Sequence, residues 1–364
     1  MVLLVLALTA VLAFANGAND NGKGVATLVG YGAARPRRAL LWATATTAVG
    51  ALAGALAGGG LLAAFRAGFI GGGKPLPLSF FAAVLFGACA WVLFATRSGL
   101  PVSTTHAILG GLVGAGLIEV GAARIGWSTL AAAVVAPLLL SPLVALALVA
   151  ALGRPIAALA RRSERRCVCA VESLVPEGSG GVAIAGPRLA LIAGDSSTCA
   201  VHSPLAAASG RDVTEALHWG TSGLVGFARG WNDAPKIAAL ALVALPAGGG
   251  SRGAFALVAV AMALGGILAG RRVLATLAEK ITPLPLGESL AASGVSSVLV
   301  ALASWRGLPV STTHVATGGI LGAGLARSAN EVRWNVVRDI AFSWFLTLPA
   351  AALVAAAVRL LSTH

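Results

Sequence analysis

Charged and aromatic residues are scarce in this chain. Of its 364 residues, 11% are charged and 5% are aromatic, with a single tyrosine, whereas 57% are hydrophobic. The mean hydropathy is +0.89. So few charges cannot cover the surface of a soluble protein of this length. The composition therefore excludes a soluble globular protein and indicates a polytopic membrane protein.

Acidic residues are only half as numerous as basic ones, 13 against 26, which gives a formal net charge of +13. The arginines cluster between apolar stretches, where positive charge sets the orientation of a membrane protein and meets anionic lipid. Placing the N-terminus outside leaves 15 basic residues in cytoplasmic loops and 6 on the outer face. We therefore expect a multi-pass protein of the cytoplasmic (inner) membrane with both termini outside, and with lipid rather than nucleic acid as a partner.

Cysteine is rare as well, with four residues in all. Cys89 lies in an apolar stretch, and the odd number in the central segment, on the expected cytoplasmic side, argues against a disulfide framework. Cys167, Cys169, Cys199 and His202 have side chains suited to zinc. Their CxC and CxxH spacings are not standard ones, and thiols in a cytoplasmic loop need no metal. They form a weak candidate metal site.

Long apolar stretches dominate what is present, and a spanning helix needs roughly 20 such residues. Five stretches precede a polar central segment and five follow it. They divide the chain into an N-terminal transmembrane repeat (1–160), a central insert (161–213) and a C-terminal transmembrane repeat (214–364). The insert is either a small β-rich unit or a disordered linker. The ten candidate spans are about 2–30, 39–62, 79–96, 99–118, 127–152, 214–245, 253–270, 288–305, 308–326 and 334–360.

The two halves share duplicated motifs. The segment from Gly99 to His106 returns unchanged from Gly307 to His314, and 14 of 20 positions agree between 98–117 and 306–325. An odd number of crossings per copy places the copies in opposite orientations, as in many secondary transporters. We therefore predict an all-α membrane protein of about ten helices in two inverted repeats, with broken helices or re-entrant hairpins at the midplane.

One duplicated motif places charges inside apolar sequence. Asp20 and Lys23 recur as Asp233 and Lys236, in each case beside glycine, and Pro235 accompanies the second copy. Broken helices at membrane depth are tolerated where they line protein or a watery cavity. The alternative is a pair of ion pairs on a helix face that only hold the bundle together. We favour a functional site made by two interrupted helices.

The other motif, Pro-Val-Ser-Thr-Thr-His, is typical of a helix start. Three consecutive hydroxyls are more than a cap needs, and free amides at a helix N-terminus attract anions. Two such starts facing each other would suit a tetrahedral oxyanion. We interpret His106 and His314 as hydrogen-bonding partners rather than metal ligands, with proton coupling as an alternative. The hydroxyl residues are Ser103, Thr104, Thr105, Ser311, Thr312 and Thr313.

At these four duplicated segments the chain resembles the PiT family of inorganic phosphate transporters, and the likeness covers 1–160 and 214–360. The resemblance implies an inverted-repeat carrier whose Ser and Thr segments hold phosphate. It also implies that Asn19, Asp20, Asn232 and Asp233 bind or relay the coupling cation, either sodium or a proton.

The chain departs from that family at one position in each repeat. Members usually have asparagine three residues after the motif aspartate, and this chain has Lys23 and Lys236. An ammonium group cannot coordinate sodium, so each lysine could occupy the cation position as a tethered surrogate or neutralise its neighbouring aspartate. The two lysines therefore favour coupling of transport to protons, or to something other than sodium.

The sequence thus predicts a cation-coupled carrier of inorganic phosphate that works by alternating access, without a cofactor. A carrier of another oxyanion, such as sulfate, is the nearest alternative. A channel is a further one. An intramembrane enzyme is disfavoured because every candidate residue is duplicated, whereas catalysis needs one asymmetric set of roles. The sequence leaves a homo-oligomer open.

Overall fold

Helices form most of the molecule in the computed structural model, which describes residues 1–65, 70, 75–177, 184–201, 206–245 and 250–362. The first half contains α1 (Val2–Tyr31), α2 (Pro36–Ala57), α3 (Gly59–Ala64), α4 (Leu78–Arg97), α5 (Thr104–Glu119), α6 (Trp127–Leu130) and α7 (Ala136–Glu164). A π-helical segment, Ala131–Val135, joins α6 to α7.

The second half follows the same order after the central segment. Its helices are α9 (Gly210–Leu242), α10 (Ser251–Ala269), α11 (Arg271–Glu279), α12 (Leu286–Trp305), α13 (Thr312–Arg327) and α14 (Trp334–Leu361). Short α8 (Ser196–Val201) belongs to the central segment. The packing partners exchange between the halves: α1 packs on α10 and α2 on α9, while α5 packs on α14 and α13 on α7.

Seven described helices are long and apolar enough to cross a membrane, namely α1, α2, α4, α7, α10, α12 and α14. The molecule is therefore a multi-pass, mainly helical membrane protein. Helices α5 and α13 have 16 residues each. At 1.5 Å per residue they are about 24 Å long, shorter than a hydrocarbon core of about 30 Å. Each follows an extended segment, so α4 with α5 and α12 with α13 form helical hairpins.

The predicted break at the Asn-Asp segments is wrong, because α1 and α9 run through them without interruption. The glycines serve close helix packing instead. A Cβ on Gly17 would lie 1.9 Å from the Met262 carbonyl oxygen of α10, and one on Gly230 would lie 2.1 Å from the Thr47 carbonyl oxygen of α2. Neighbouring elements also supply hydrogen-bond partners for the buried asparagine and lysine side chains of these segments, so a continuous helix can hold them.

The central segment contains three strands, β1 (Arg166–Glu177), β2 (Ile184–Asp195) and β3 (Ala206–Ser209). Strand β1 lies in the middle and pairs antiparallel with both others. A disulfide joins Cys167 to Cys199, contrary to the expectation from the odd cysteine count. The number of cysteines does not show which of them lie close together in the fold. Here α8 packs against β1 and brings Cys199 next to Cys167. The division of the chain into three domains stays a prediction.

Candidate functional site

The two hydroxyl motifs form the tips of the two helical hairpins. Gly99 and Gly307 adopt positive φ angles of 73° and 67°, which end α4 and α12 at low steric cost. The amides of Leu100 and Leu308 then donate back to Ala95 and Ala303 at 2.9 and 2.8 Å. Proline cannot continue the helix, so the chain runs extended to the serine that starts the next one.

Ser103 and Ser311 are the N-caps of α5 and α13. Their hydroxyl oxygens accept hydrogen bonds from the backbone N–H of His106 and His314 at 3.2 and 3.3 Å. The predicted capping role is therefore confirmed for the first hydroxyl of each motif. The capping bonds leave the next two threonines of each motif for other contacts.

Asn19 fixes the first hairpin tip against α1. Its amide nitrogen donates to Thr96 Oγ1 and to the Leu100 carbonyl oxygen, both at 3.0 Å, and its oxygen accepts from the Val102 amide at 3.1 Å. Asn232 similarly donates to Ser304 Oγ at 3.0 Å in the second half. The structure thus gives both asparagines a positioning contact with their own hairpin.

The Lys23 ammonium lies in a cage of oxygen atoms. It donates to the Val102 carbonyl oxygen at 2.9 Å, and it also contacts Asp20 Oδ1 and Thr313 Oγ1. Two of these oxygens come from the first half of the chain, whereas Thr313 comes from the hairpin tip of the second half. The lysine therefore links the two halves.

Lys236 occupies the equivalent cage in the second half. Its ammonium donates to Thr105 Oγ1 at 2.8 Å, to the Val310 carbonyl oxygen at 3.0 Å and to Asp233 Oδ1 at 3.2 Å, and it contacts Asn232 Oδ1. Carboxylate, amide, hydroxyl and backbone carbonyl oxygens are the ligands that hard cations take in proteins. Each ammonium group thus sits where oxygen atoms converge as they would around a bound cation.

Asn16 and Arg229 connect the two aspartates. The Asn16 amide nitrogen donates to Asp20 Oδ2 at 2.9 Å, to Thr104 Oγ1 at 3.1 Å and to Asp233 Oδ2 at 3.3 Å. Arg229 Nη1 donates to Asn16 Oδ1 at 2.9 Å and lies 3.7 Å from Asp233 Oδ2. The duplicated charges therefore belong to one site rather than to two separate helix faces.

Sequence reasoning missed Arg229, which is 1% exposed and also contacts Asn21 Oδ1. Arg229 stands where the first copy of the motif has Asn16, so alignment of the repeats hides it as a mismatch. The available signal is a charged residue within an apolar stretch, which by itself points to function. With Arg229 included, three cationic side chains face two aspartates.

The predicted transport residues of the membrane portion all lie on α1, on α9 or at the two hairpin tips, and all of them are buried. All of them are at most 4% exposed, so the structure shows the site closed to solvent. They are Asn19, Asp20, Lys23, Ser103, Thr104, Thr105, Asn232, Asp233, Lys236, Ser311, Thr312 and Thr313.

The two motif histidines lie against each other behind the hairpin tips. Their ring centroids are 4.7 Å apart, and the His314 ring lies 3.9 Å from that of Trp344. Both rings line a cavity of about 570 Å³ whose other walls are apolar side chains of α5, α7 and α14 and of the π-helical segment. Among the described contacts, the two rings pack at a tilt against each other, His314 also packs against Trp344, and neither ring joins the oxygen cages.

The weak zinc candidates lie apart from this site, in the central segment. The sulfur atoms of Cys167, Cys169 and Cys199 are within 4.8 Å of one another, with Cys167 and Cys199 joined as a disulfide. His202 lies outside the described residues.

A bundle of apolar helices around a buried, duplicated and charged site defines a polytopic transport protein. A sequence profile of the phosphate transporter family matches residues 16–355. The chain belongs to this family, and the predicted PiT resemblance is confirmed.

Similar proteins span nearly the whole chain. A phosphate permease of Pyrococcus horikoshii is 32% identical over 400 residues, covering 97% of this chain and 96% of the relative. A low-affinity inorganic phosphate transporter of Mycobacterium tuberculosis is 30% identical over 366 residues, covering 97% of this chain and 76% of the relative. A solved structure described as the sodium-dependent phosphate transporter has a TM-score of 0.78 and 24% identity, covering 100% of this chain and 98% of that one. This last likeness establishes the fold.

Proposed function

We propose that this protein carries inorganic phosphate across the cytoplasmic membrane by alternating access. The observation that carries the proposal is the closed site in which two hydroxyl hairpin tips meet three cations and two aspartates. An anion that enters this site meets ammonium and guanidinium groups and threonine hydroxyls, which together can donate to all its oxygens. The aspartates offset most of the positive charge, so a bound anion can also leave.

Alternating access is supported by the exchange of packing partners between the halves. Where α1 packs on α10, its counterpart α9 packs on α2, and the same exchange relates α5 with α14 to α13 with α7. The ten proposed crossings are the seven apolar helices, α9, and the two short helices α5 and α13, each lengthened by the extended segment that precedes it. Two inverted repeats of this kind can rock about a central site that stays in place.

The phosphate ligands in this proposal are the six motif hydroxyls, with the lysines as further donors. Thr313 and Thr105 each accept from the lysine of the opposite half. A phosphate that binds between the hairpin tips would draw both ammonium groups toward itself. Substrate binding would then loosen contacts that tie the halves together, which is the step a rocking carrier needs.

We infer that the lysines act as tethered cations at the positions where a coupling cation would otherwise bind. Each ammonium already fills a cage of oxygen atoms that includes a motif aspartate. A sodium ion would need the same oxygens and would lie against a fixed positive charge. Phosphate transport by this chain is therefore sodium-independent in our proposal, with protons exchanged at Asp20 and Asp233 as the coupling reaction.

Uptake of labelled phosphate into proteoliposomes tests the function. We expect uptake when an inward proton gradient is imposed, with competition by arsenate and weaker competition by sulfate. Cys89→Ser, a change in α4 away from the site, should transport like the unmodified protein. The proposal fails if folded, monodisperse protein shows no uptake under any proton, sodium or voltage gradient. Sulfate uptake faster than phosphate uptake would reassign the substrate.

A further inference from the structure

The small core of the central segment consists largely of cysteine. Its buried members are Cys167, Cys169, Val171 and Cys199, and the partly buried Ala190 and Ile192 pack against them. A core of this size buries too little apolar surface to stabilise a fold alone, and small units of this kind depend on a disulfide or a metal ion. Either a disulfide or a metal ion must therefore stabilise the central segment.

The three sulfur atoms are grouped by the fold rather than by sequence spacing. Cys167 and Cys169 are two residues apart on β1 and so point to the same face of the sheet. Cys199 comes from α8, which packs on β1. All three sulfurs lie within 4.8 Å of one another, and all three residues are at most 6% exposed.

Whether a disulfide or a metal ion stabilises the central segment depends on the redox state of the compartment that holds it. The Cys167–Cys199 bond leaves Cys169 as a buried thiol beside it. Four of the six residues before Cys167 are arginines, and such a basic segment favours the cytoplasmic face. They are Arg161, Arg162, Arg165 and Arg166. Cytoplasmic thiols are kept reduced, so a disulfide cannot be the lasting staple there.

We propose that in the cytoplasm Cys167, Cys169 and Cys199 bind one zinc ion. A cellular dithiol gives two electrons and two protons to the Cys167–Cys199 bond and becomes a disulfide, which leaves three thiols at the site. Zinc then replaces the three thiol protons and forms three Zn–S bonds, with water as a fourth ligand.

Two observations suit this ion. Thiolates at about 2.3 Å from a tetrahedral zinc lie about 3.8 Å apart, a spacing that three sulfurs grouped within 4.8 Å can adopt once the disulfide is reduced. The low exposure of the three cysteines shields the Zn–S bonds from competing ligands in bulk solvent. The site is independent of phosphate transport and would brace the link between the two repeats.

Metal analysis of the full-length protein tests the proposal. Protein reduced with a phosphine, incubated with zinc sulfate and desalted should retain about one zinc ion per chain. Cys169→Ser should retain almost none, although it leaves the Cys167–Cys199 pair intact and so can still fold. Cys89→Ser, with its change in α4, is the matched control and should bind zinc normally.

Two further measurements do not depend on any variant. Cobalt added to the reduced protein should give the absorption bands of tetrahedral thiolate ligation. Alkylation in acid-quenched cells, followed by mass spectrometry, should modify all four cysteines after zinc is chelated. Zinc retention that Cys169→Ser does not reduce, or a Cys167–Cys199 disulfide that persists in quenched cells, would overturn the proposal.

Discussion

Arg229 is the residue at which the two copies of the Asn-Asp segment differ inside the site. Its guanidinium reaches Asn16, Asn21 and Asp233, and so holds α9 against α1. In the first copy the same position is Asn16, a neutral side chain that donates to both aspartates. Arg229 is the third positive charge of the site, against two aspartates, so the net charge of the site favours an anion.

Replacing Arg229 with alanine should destabilise the protein strongly. The change leaves the Asp233 carboxylate and two amide oxygens buried without this donor, and removal of one partner from a buried ion pair costs about 3–5 kcal/mol. Thermal unfolding in detergent measures the loss. Arg252→Ala, at an exposed position in α10, is the control. Equal unfolding temperatures for the two variants would contradict the structural role.

Most side chains of the candidate site could be predicted from the sequence. Asp20, Lys23 and their copies were found because charge inside apolar sequence is costly, and the threonines because a cap needs only one hydroxyl. Arg229 was missed because it interrupts the repeat. The oxygen cages around the lysines could not be predicted from the sequence either, because Thr313, which contacts Lys23, lies 290 positions away along the chain.

At the scale of elements, glycines rather than breaks shape the helices around the site. Helices α1 and α10 approach through reciprocal contacts: Gly17 faces the Met262 carbonyl oxygen, and a Cβ on Gly265 would lie 1.9 Å from that of Phe14. Sequence reasoning assigned the glycines of α1 to a break because a single sequence cannot distinguish a glycine that bends a helix from one that admits a neighbour.

Gly265→Ala and Gly253→Ala form a matched pair within α10. The first should push α1 away at a cost of about 1–3 kcal/mol, as expected for overpacking. The second has open space around its Cβ and should stabilise the helix by up to about 1 kcal/mol. Unfolding temperatures and phosphate uptake should both fall for Gly265→Ala only. Similar behaviour of the two variants would mean that close packing is not what the glycine provides.

At the scale of the whole molecule, the two halves exchange packing partners in the way expected of inverted repeats. The ten proposed crossings would place both termini on one face and the central segment on the other. The arginine distribution predicts the outer face for the termini. A sequence supports predictions of this kind because charge bias and the number of spans are local properties, whereas the contacts between halves are not.

Reporter fusions after residue 364 test the orientation. Alkaline phosphatase, which folds only outside the cytoplasm, should be active there, and a fluorescent protein that matures only in the cytoplasm should be dark. The same reporters fused after residue 165, with the rest of the chain removed, should behave in the opposite way. An active phosphatase at both positions would contradict the ten-span topology.

In the proposed phosphate carrier, Lys23 and Lys236 stand in for the coupling cation. The most direct test is phosphate uptake by proteoliposomes in sodium and in choline media, for the unmodified protein and for the double variant Lys23→Asn with Lys236→Asn. We predict equal uptake in both media for the unmodified protein. The double variant should be slow in choline and should recover at least in part with sodium. Uptake by the unmodified protein that requires sodium, or a double variant with unchanged cation dependence, would contradict the proposed role of the two lysines.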